Sequence, residues 1–115
     1  MIAISMRVDQ IGATGEKRVG LDLNWREVIP VPLLPISPLS NPNILVSELN
    51  LVSGVILSGG NDVYPKEQDI ASKIRKTFEK KLLKVCLENK MPIFGVCYGL
   101  QLIASTFGAK IKKLD

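Results

Sequence analysis

The chain has 115 residues, of which 46% are hydrophobic and 23% are charged, and this composition is typical of a globular domain and not of a disordered segment. The length allows one domain at most and is short for a complete doubly wound enzyme domain. Aromatic residues make up only 5%, so the net charge of +4 does not indicate a surface on which nucleic-acid bases stack.

The sequence also excludes membrane-spanning and disulfide-stabilised classes. No apolar run approaches the roughly 18 residues that cross a bilayer, and the short apolar start runs directly into Arg7 and Asp9, unlike a signal sequence. The two cysteines, Cys86 and Cys97, form neither a Cys-x-x-Cys pair nor a metal-ligand pattern. We therefore expect a cytoplasmic protein with no metal, no cofactor, no membrane contact and no nucleic-acid partner.

The first part of the chain predicts a strand followed by a polar loop. Residues 2–6 are an apolar run with small residues, which predicts a central strand. Residues 7–20 are polar and punctuated by glycine, so we expect either an ordinary surface loop or part of a ligand site at the carboxyl end of the sheet. Residues 19–27 predict a short helix, although their apolar alternation favours a strand.

A proline-rich stretch follows, and residues 28–42 contain most of the prolines of the chain. Because proline cannot donate a hydrogen bond to a ladder, we expect an edge strand at residues 31–35 and a turn-rich connector at residues 37–42. Residues 43–51 predict a short helix with an asparagine cap.

A buried strand and a long helix come next. Residues 54–57 are a continuous apolar run, typical of a parallel strand that is buried on both faces, and residues 58–62 end it abruptly. Residues 69–89 predict an amphipathic helix whose inner face is Ile70, Ile74, Phe78, Leu82 and Val85. The basic residues between positions 66 and 90 indicate a solvated helix face, in preference to a phosphate or nucleic-acid patch.

The last part of the chain continues the alternation. Residues 91–96 predict a buried strand, residues 97–107 predict a helix closed by Gly108, and residues 109–111 predict the beginning of another strand. Strands that alternate with helices through short loops predict an α/β fold with a mostly parallel sheet and helices on both of its faces.

Cys97 is the candidate nucleophile, because it occupies the predicted turn between a strand and a helix. Glycines flank it, and the unpaired N–H groups at a helix start favour a negatively charged thiolate. The backbone N–H groups of Tyr98 and of the Gly59-Gly60 loop are expected to converge near the sulfur as an oxyanion hole. The same loop is a poor candidate for a phosphate cradle, since no G-x-G-x-x-G or Lys-Ser/Thr pattern follows it. Cys86 lies within the amphipathic helix and is expected in the core.

Two motifs resemble those of class I glutamine amidotransferases. Residues 95–101, Gly-Val-Cys-Tyr-Gly-Leu-Gln, match the G-x-C-x-G-x-Q nucleophile elbow, and residues 54–63 resemble the oxyanion loop. The continuation Asn-Asp-Val-Tyr-Pro at 61–65, with residues 4–8 and 16–25, is similar to the γ-glutamyl hydrolase branch, which includes hydrolases of γ-glutamyl-γ-aminobutyrate and of γ-glutamyl-CDP-amidate. The resemblance spans nearly the whole chain.

This resemblance implies a flavodoxin-like three-layer sandwich and a Cys-His-Glu triad that cleaves a γ-glutamyl amide through a thioester on Cys97. It implies oxyanion N–H donors at Gly60 and Tyr98. It also implies that Gly59 and Gln101 contact the glutamyl portion of a small-molecule substrate, and that no cofactor takes part.

The sequence contains no histidine, whereas the family takes its two other triad members from an H-x-E or H-x-D segment downstream of the elbow. We therefore expect residues 1–115 to be the N-terminal part of a single domain, incomplete at its C-terminal end, that is active only when the domain is complete. A complementing C-terminal fragment or a synthetase that receives ammonia is the expected protein partner.

Two other functions remain open. One is a non-catalytic half-domain that binds or assembles, pairing with another chain that covers its unfinished sheet. The other is a flavodoxin-like binding module in which Cys97 is only redox-sensitive. We expect residues 7–18 and 61–64 to select the amine side of the substrate, but they do not distinguish a polyamine-derived acid from a nucleotide-linked amide.

Overall fold

The structure, a computed structural model, describes residues 1–13, 15–41, 49–112 and 114. In chain order the elements are β1 (Ile2–Ser5), β2 (Arg7–Ile11), β3 (Glu16–Gly20), α1 (Trp25–Val28), β4 (Leu33–Ile36), β5 (Gly54–Leu57), α2 (Ile70–Glu88), β6 (Ile93–Gly95) and α3 (Tyr98–Thr106). A four-stranded sheet has the order β4-β1-β5-β6, and all its neighbouring strands are parallel. Strands β2 and β3 form a separate antiparallel pair.

The two inner strands are the most apolar segments of the chain. Ala3 and Ile4 of β1 are fully buried, and every residue of β5 is buried, as expected for parallel strands covered on both faces. Strand β4 lies at an edge and carries Pro35, which pairs in register with Ile4. The predicted central strand and the predicted proline-bearing edge strand are thus confirmed.

One face of the sheet packs against α2 and α3. The parallel register pairs Val55 with Ile93 and Ile56 with Phe94. Because successive side chains of a strand point to opposite faces, Val55 and Ile93 face one side of the sheet, and Ile56 and Phe94 face the other. The resulting core combines residues from the inner strands with residues from both helices, namely Ala3, Val55, Leu57, Phe78, Leu82, Cys86, Tyr98 and Leu102.

The opposite face is covered more thinly, by the single turn of α1. Trp25 and Val28 of α1, together with Ile56 and Phe94 of the sheet, line a cavity of about 390 Å³. The Phe94 side chain remains 66% exposed. With helices on both sides of a parallel sheet, the fold is the predicted α/β flavodoxin-like arrangement.

The prediction of a loop at residues 7–20 was wrong, because this segment forms the hairpin β2–β3. Its ladder is polar on its exposed side, and Val8, which pairs with Val19, is the buried exception at 3% exposure. The Asn61 side chain holds this hairpin by accepting a hydrogen bond from the Val8 N–H and donating one to the Val8 carbonyl. A strand with so few buried positions carries no apolar run that could identify it.

The helix α2 matches the prediction in its bounds and in the buried Phe78 and Leu82, but the first part of the predicted inner face is wrong. Ile70 and Ile74 are 43% and 41% exposed, whereas Arg75 and Glu79 are fully buried. Side chains that are four residues apart on an α-helix lie about 40° further round the helix at each step, so a strict spacing of four leaves the buried face. Traced back from Phe78, the buried face therefore reaches position 75 and not position 74. The prediction that the basic residues of this region are solvated was therefore wrong for Arg75.

Three smaller predictions, for residues 19–27, 43–51 and 109–111, have different outcomes. Within residues 19–27, positions 19 and 20 complete β3, and only α1 at the end of the range is helical. The predicted helix at 43–51 lies largely outside the described residues. Residues 109–111 form no strand, and Ile111 packs on the core and lines a cavity with residues 61–64. Within the described parts of the chain, each helix is too short or too polar to cross a membrane.

Candidate active site

Cys97 lies in a strained turn between β6 and α3. Its backbone has a φ of 51° and a ψ of −108°, and such a conformation in a non-glycine residue costs on the order of 1–3 kcal/mol. Two glycines allow the turn: a Cβ at Gly95 would lie 2.5 Å from the Leu100 nitrogen, and a Cβ at Gly99 would overlap the Leu57 carbonyl. The close packing of β5, β6 and α3 therefore presents the exposed Cys97 at the carboxyl end of the sheet.

The ends of β5 and β6 bring the two predicted motifs together. A Cβ built on Gly59 would lie 3.2 Å from the Cys97 Cβ and 3.9 Å from its Sγ. The Val96 N–H donates to the Leu57 carbonyl at 2.9 Å, which continues the parallel ladder up to the elbow. The predicted proximity of the glycine pair and the candidate nucleophile is thus present.

Both predicted oxyanion donors are among the backbone N–H groups near Cys97 that have no partner within the described residues. The N–H groups of Gly99 and Gln101 donate to the Val96 and Cys97 carbonyls, each at 3.0 Å, but those of Gly60 and Tyr98 donate to no protein acceptor there. A helix start leaves such N–H groups unpaired and directed toward a ligand. The oxyanion roles of Gly60 and Tyr98 stay predictions that this arrangement permits.

A buried polar network lies beneath the loop, and sequence reasoning missed it. Arg75 donates to the carbonyl oxygens of Ser58 and Gly59, each at 2.7 Å, and to Glu79 Oε1 at 3.0 Å. Its other acceptors are Ser5 Oγ, Ser58 Oγ and Asn61 Oδ1. Arg75 and Glu79 are both fully buried, so the ion pair is shielded from solvent. The signal that could have found it is the helical register of Phe78 and Leu82.

The network alters the ionisation of its neighbours. Burial raises the pKa of the Glu79 carboxyl above 4.5, and the nearby Arg75 charge opposes this effect without cancelling it. Burial, with the Glu79 charge adding to it, raises the pKa of the Tyr98 phenol. The Tyr98 ring lies under Arg75, whose Cζ is 4.3 Å from the ring centroid. Away from this network, burial raises the pKa of the Cys86 thiol to about 11, as suits a core residue.

Cavities open on two sides of the elbow. Gln101 lines one of about 530 Å³ with the loop residues Asn61 to Tyr64 and with Ile111. Gly59 lines another of about 200 Å³, together with Arg7, Asp22 and Trp25. The predicted substrate contacts Gly59 and Gln101 therefore lie in different cavities.

Arg7 stands against the oxyanion loop. Gly60 has a φ of +114°, which favours glycine, and a Cβ built there would lie 2.7 Å from the Arg7 Cζ, so the flexible guanidinium lies directly against this position. The Arg7 Nε donates to Asp9 Oδ1 at 2.9 Å, and the Arg7 side chain is 44% exposed. The site thus carries a positive charge next to one predicted oxyanion donor.

The side chains that ordinarily ligate metal ions are not gathered at one place among the described residues. Among the described residues, no cluster of three or more His, Cys, Asp and Glu side chains is arranged to hold one. The whole sequence has no histidine, so the chain itself supplies no imidazole base for Cys97.

Comparison with known proteins agrees with this geometry. Residues 24–113 match the family model described as Peptidase C26, a range that includes both the Gly59-Gly60 loop and the Cys97 elbow. The chain belongs to the Peptidase C26 family of class I glutamine amidotransferase-like proteins.

Named relatives include hydrolases and amidotransferases. The γ-glutamyl-CDP-amidate hydrolase of Campylobacter jejuni is 36% identical over 99% of this chain and 58% of its own length. A putative glutamine amidotransferase-like protein, YvdE, of Lactococcus lactis is 35% identical over 70% of this chain and 36% of its own length. One subunit of a glutamine-hydrolyzing GMP synthase of Methanococcus aeolicus is 34% identical over 70% of this chain and 36% of its own length. The chain thus spans between about a third and three fifths of these relatives.

Proposed function

We propose that this chain supplies the nucleophile and the oxyanion hole for hydrolysis of a γ-glutamyl amide in a complete class I glutamine amidotransferase-like domain. The observation that carries the proposal is the exposed, strained Cys97 packed against Gly59. The residues that follow these two in sequence, Tyr98 and Gly60, have N–H groups that meet no acceptor among the described residues. The hydrolase and amidotransferase relatives support the same class of reaction.

In the proposed reaction the Cys97 thiolate attacks the γ-carbonyl carbon and forms a C–S bond. The carbonyl oxygen becomes an oxyanion that accepts hydrogen bonds from the Gly60 and Tyr98 N–H groups, which lowers the barrier most if both are fixed in place beforehand. Collapse breaks the C–N bond, the amine leaves with a proton, and water then hydrolyses the thioester to free glutamate.

The proton steps need a base that this sequence does not contain. A histidine oriented by a carboxylate performs this task in Cys-His-Glu triads, and the present chain has no histidine. We therefore propose hydrolysis for the complete domain. For this chain alone we propose only acyl transfer to Cys97, from compounds whose leaving group departs without being protonated.

For the substrate, we place the glutamyl portion against Gln101, in its cavity, and the amine portion in the cavity that Gly59 shares with Arg7 and Trp25. The guanidinium of Arg7 can bind a phosphate, and the indole ring of Trp25 can stack on a nucleobase. A nucleotide-linked amide is therefore the first candidate substrate. The relative that is named a γ-glutamyl-CDP-amidate hydrolase supports this choice. The GMP synthase relative supports the alternative of transferring ammonia to a synthetase partner. We place either reaction in the cytoplasm, since both cysteines are free.

The proposal is tested with an aryl γ-glutamyl thioester, because its thiolate leaves without protonation. Cys97 is expected to take up the γ-glutamyl group, and peptide mapping by mass spectrometry locates the adduct. Cys97→Ala should abolish the adduct, while the buried Cys86 should stay unmodified. If iodoacetamide alkylates Cys97 but the thioester does not acylate it, the proposed function is wrong.

A further inference from the structure

The buried Arg75 contacts two consecutive carbonyl groups of the oxyanion loop. Its Nη2 donates to the Ser58 oxygen and its Nη1 to the Gly59 oxygen, each at 2.7 Å. These are short, charge-assisted hydrogen bonds, which are roughly twice as strong as neutral ones. No other hydrogen bond to either carbonyl oxygen occurs within the described residues.

Peptide geometry links these carbonyls to the proposed catalytic donors. In a planar trans peptide the C=O and the following N–H point in opposite directions. Because Arg75 binds the Gly59 carbonyl, the Gly60 N–H of the same peptide must point away from Arg75. The Ser58 carbonyl fixes the Gly59 N–H in the same way.

Without this contact the peptide between Gly59 and Gly60 has little to hold it. Glycine populates positive and negative φ with similar ease, so rotation of a peptide between two glycines meets little steric resistance. A rotated peptide would place a carbonyl oxygen where the developing oxyanion needs an N–H donor. We propose that Arg75 is a positioning residue of the oxyanion hole, which fixes the Gly59-Gly60 peptide so that its N–H faces the reacting carbonyl; this inference rests on the proposed function.

Arg75 also contacts the side chain of the residue that carries the second donor. Its guanidinium stacks on the Tyr98 ring, and the backbone N–H of Tyr98 is the other half of the proposed oxyanion hole. One side chain of α2 therefore supports the end of β5 and the start of α3 together. Glu79 completes the support by accepting a hydrogen bond from Arg75 Nη2 at 3.0 Å.

Stability alone gives a weak reason for this arrangement. A buried ion pair loses several kcal/mol of hydration per ion, and well-packed apolar residues of similar volume often serve stability equally well. The function of the ion pair is better sought in the two carbonyl contacts, which an apolar residue cannot make.

The test compares two reactions of Cys97 that differ in their need for an oxyanion hole. Iodoacetamide alkylates the thiolate by displacement at a saturated carbon, whereas acyl transfer from an aryl γ-glutamyl thioester passes through an oxyanion. The ratio of the acyl-transfer rate to the alkylation rate therefore reports on the hole and cancels changes in thiol exposure. Both rates are measured on the whole chain by mass spectrometry.

Arg75→Lys is the principal variant, because a lysine keeps the charge but cannot span both carbonyls as the planar guanidinium does. We expect the rate ratio to fall at least about tenfold, compared with the roughly 100-fold to 1000-fold loss of rate when one oxyanion donor is removed outright. Lys80→Met, at an exposed position on the same helix, should leave the ratio unchanged. Circular dichroism confirms that each variant is folded.

The outcomes separate the two proposals. Acylation of the wild-type chain with an unchanged ratio in folded Arg75→Lys would overturn the positioning role and leave the proposed function intact. No acylation of the wild-type chain, despite alkylation, would overturn the proposed function and this inference with it. If Arg75→Lys does not fold, Glu79→Gln is used, since a carboxamide still fits the site but anchors Arg75 without charge. There a severalfold fall in the ratio is expected, and an unchanged ratio contradicts the inference.

Discussion

At the scale of single residues, the buried carboxyl of Glu79 is the least ordinary group in the molecule. It is fully buried, and Arg75 and Tyr98 are the charged and titratable groups that face it. Only one of its oxygens has a hydrogen-bond partner among the described residues. A carboxyl in such surroundings is difficult to ionise, and its protonation therefore affects stability.

Glu79 predicts a pH dependence of folding. Because burial raises its pKa above 4.5 in the folded state, the folded chain binds this proton more tightly than the unfolded chain does. The stabilisation that protonated Glu79 contributes is complete below pH 4.5, and it is lost as the pH rises through the folded-state pKa of Glu79. Relative to Glu79→Gln, the wild-type free energy of unfolding should therefore fall as the pH rises above 4.5, as measured by urea unfolding.

Glu88→Gln is the control for this prediction, because Glu88 lies on the same helix and its side chain is 62% exposed. The Glu88→Gln variant should follow the wild-type pH profile. The free energy of unfolding of the wild type minus that of Glu79→Gln should fall with pH. If this difference rises with pH or stays constant, the raised pKa of Glu79 is contradicted.

At the scale of elements, the site depends on how closely α3 approaches β5. Gly99 allows this approach, since its Cα faces the Leu57 carbonyl with no space for a further carbon atom. The same contact aligns the start of α3 with the end of β5. A side chain at this position would separate the nucleophile from the glycine loop.

We predict that Gly99→Ala lowers the free energy of unfolding by about 3 kcal/mol or more, because the added methyl group meets backbone that cannot move aside cheaply. Guanidinium unfolding measures the effect. Gly20→Ala is the matched control, since nothing lies within 4 Å of a Cβ there, and its effect should be about 0.5 kcal/mol or less. Equal losses in the two variants would contradict the packing argument.

The elements differ in how far the sequence could predict them. Strands β1 and β5 and helices α2 and α3 have apolar runs or periods long enough to identify them, and parallel topology then brings Gly59 to Cys97. The hairpin could not be predicted, since only Val8 along β2 is buried. Arg75 is wrongly predicted to face solvent, because a charge within a lysine-rich segment ordinarily does so, and only its helical register with the apolar Phe78 and Leu82 indicates that it faces inward.

At the scale of the whole molecule, the described residues cover one face of the parallel sheet only with the single turn of α1. Phe94, Val28 and Leu23 on or near this face are 66%, 67% and 74% exposed. Parallel sheets are ordinarily covered on both faces. This exposed apolar surface is the feature that favours the alternative function as a binding or assembly unit.

We predict that the chain alone self-associates through this face as its concentration rises, which light scattering detects. Phe94→Lys should weaken the association, because a charge at the centre of the face opposes its burial. Leu39→Lys, at a position that is 86% exposed in the connector after β4, is the control and should have no effect. A wild-type chain that stays monomeric at all concentrations would contradict this prediction and argue against the assembly alternative.

The contacts of Arg75 also bear on when the site forms during folding. Arg75 binds Ser5, which lies 70 positions earlier in the sequence, and Ser58 binds Ser5 across 53 positions. Contacts between such distant parts of a chain form slowly, since a long loop must close before they are gained. We therefore expect a newly made chain to expose the Cys97 thiol before the Gly59-Gly60 peptide takes its final orientation. A partly folded molecule would then react with simple alkylating agents but not with γ-glutamyl compounds, so its chemistry would reveal its stage of folding.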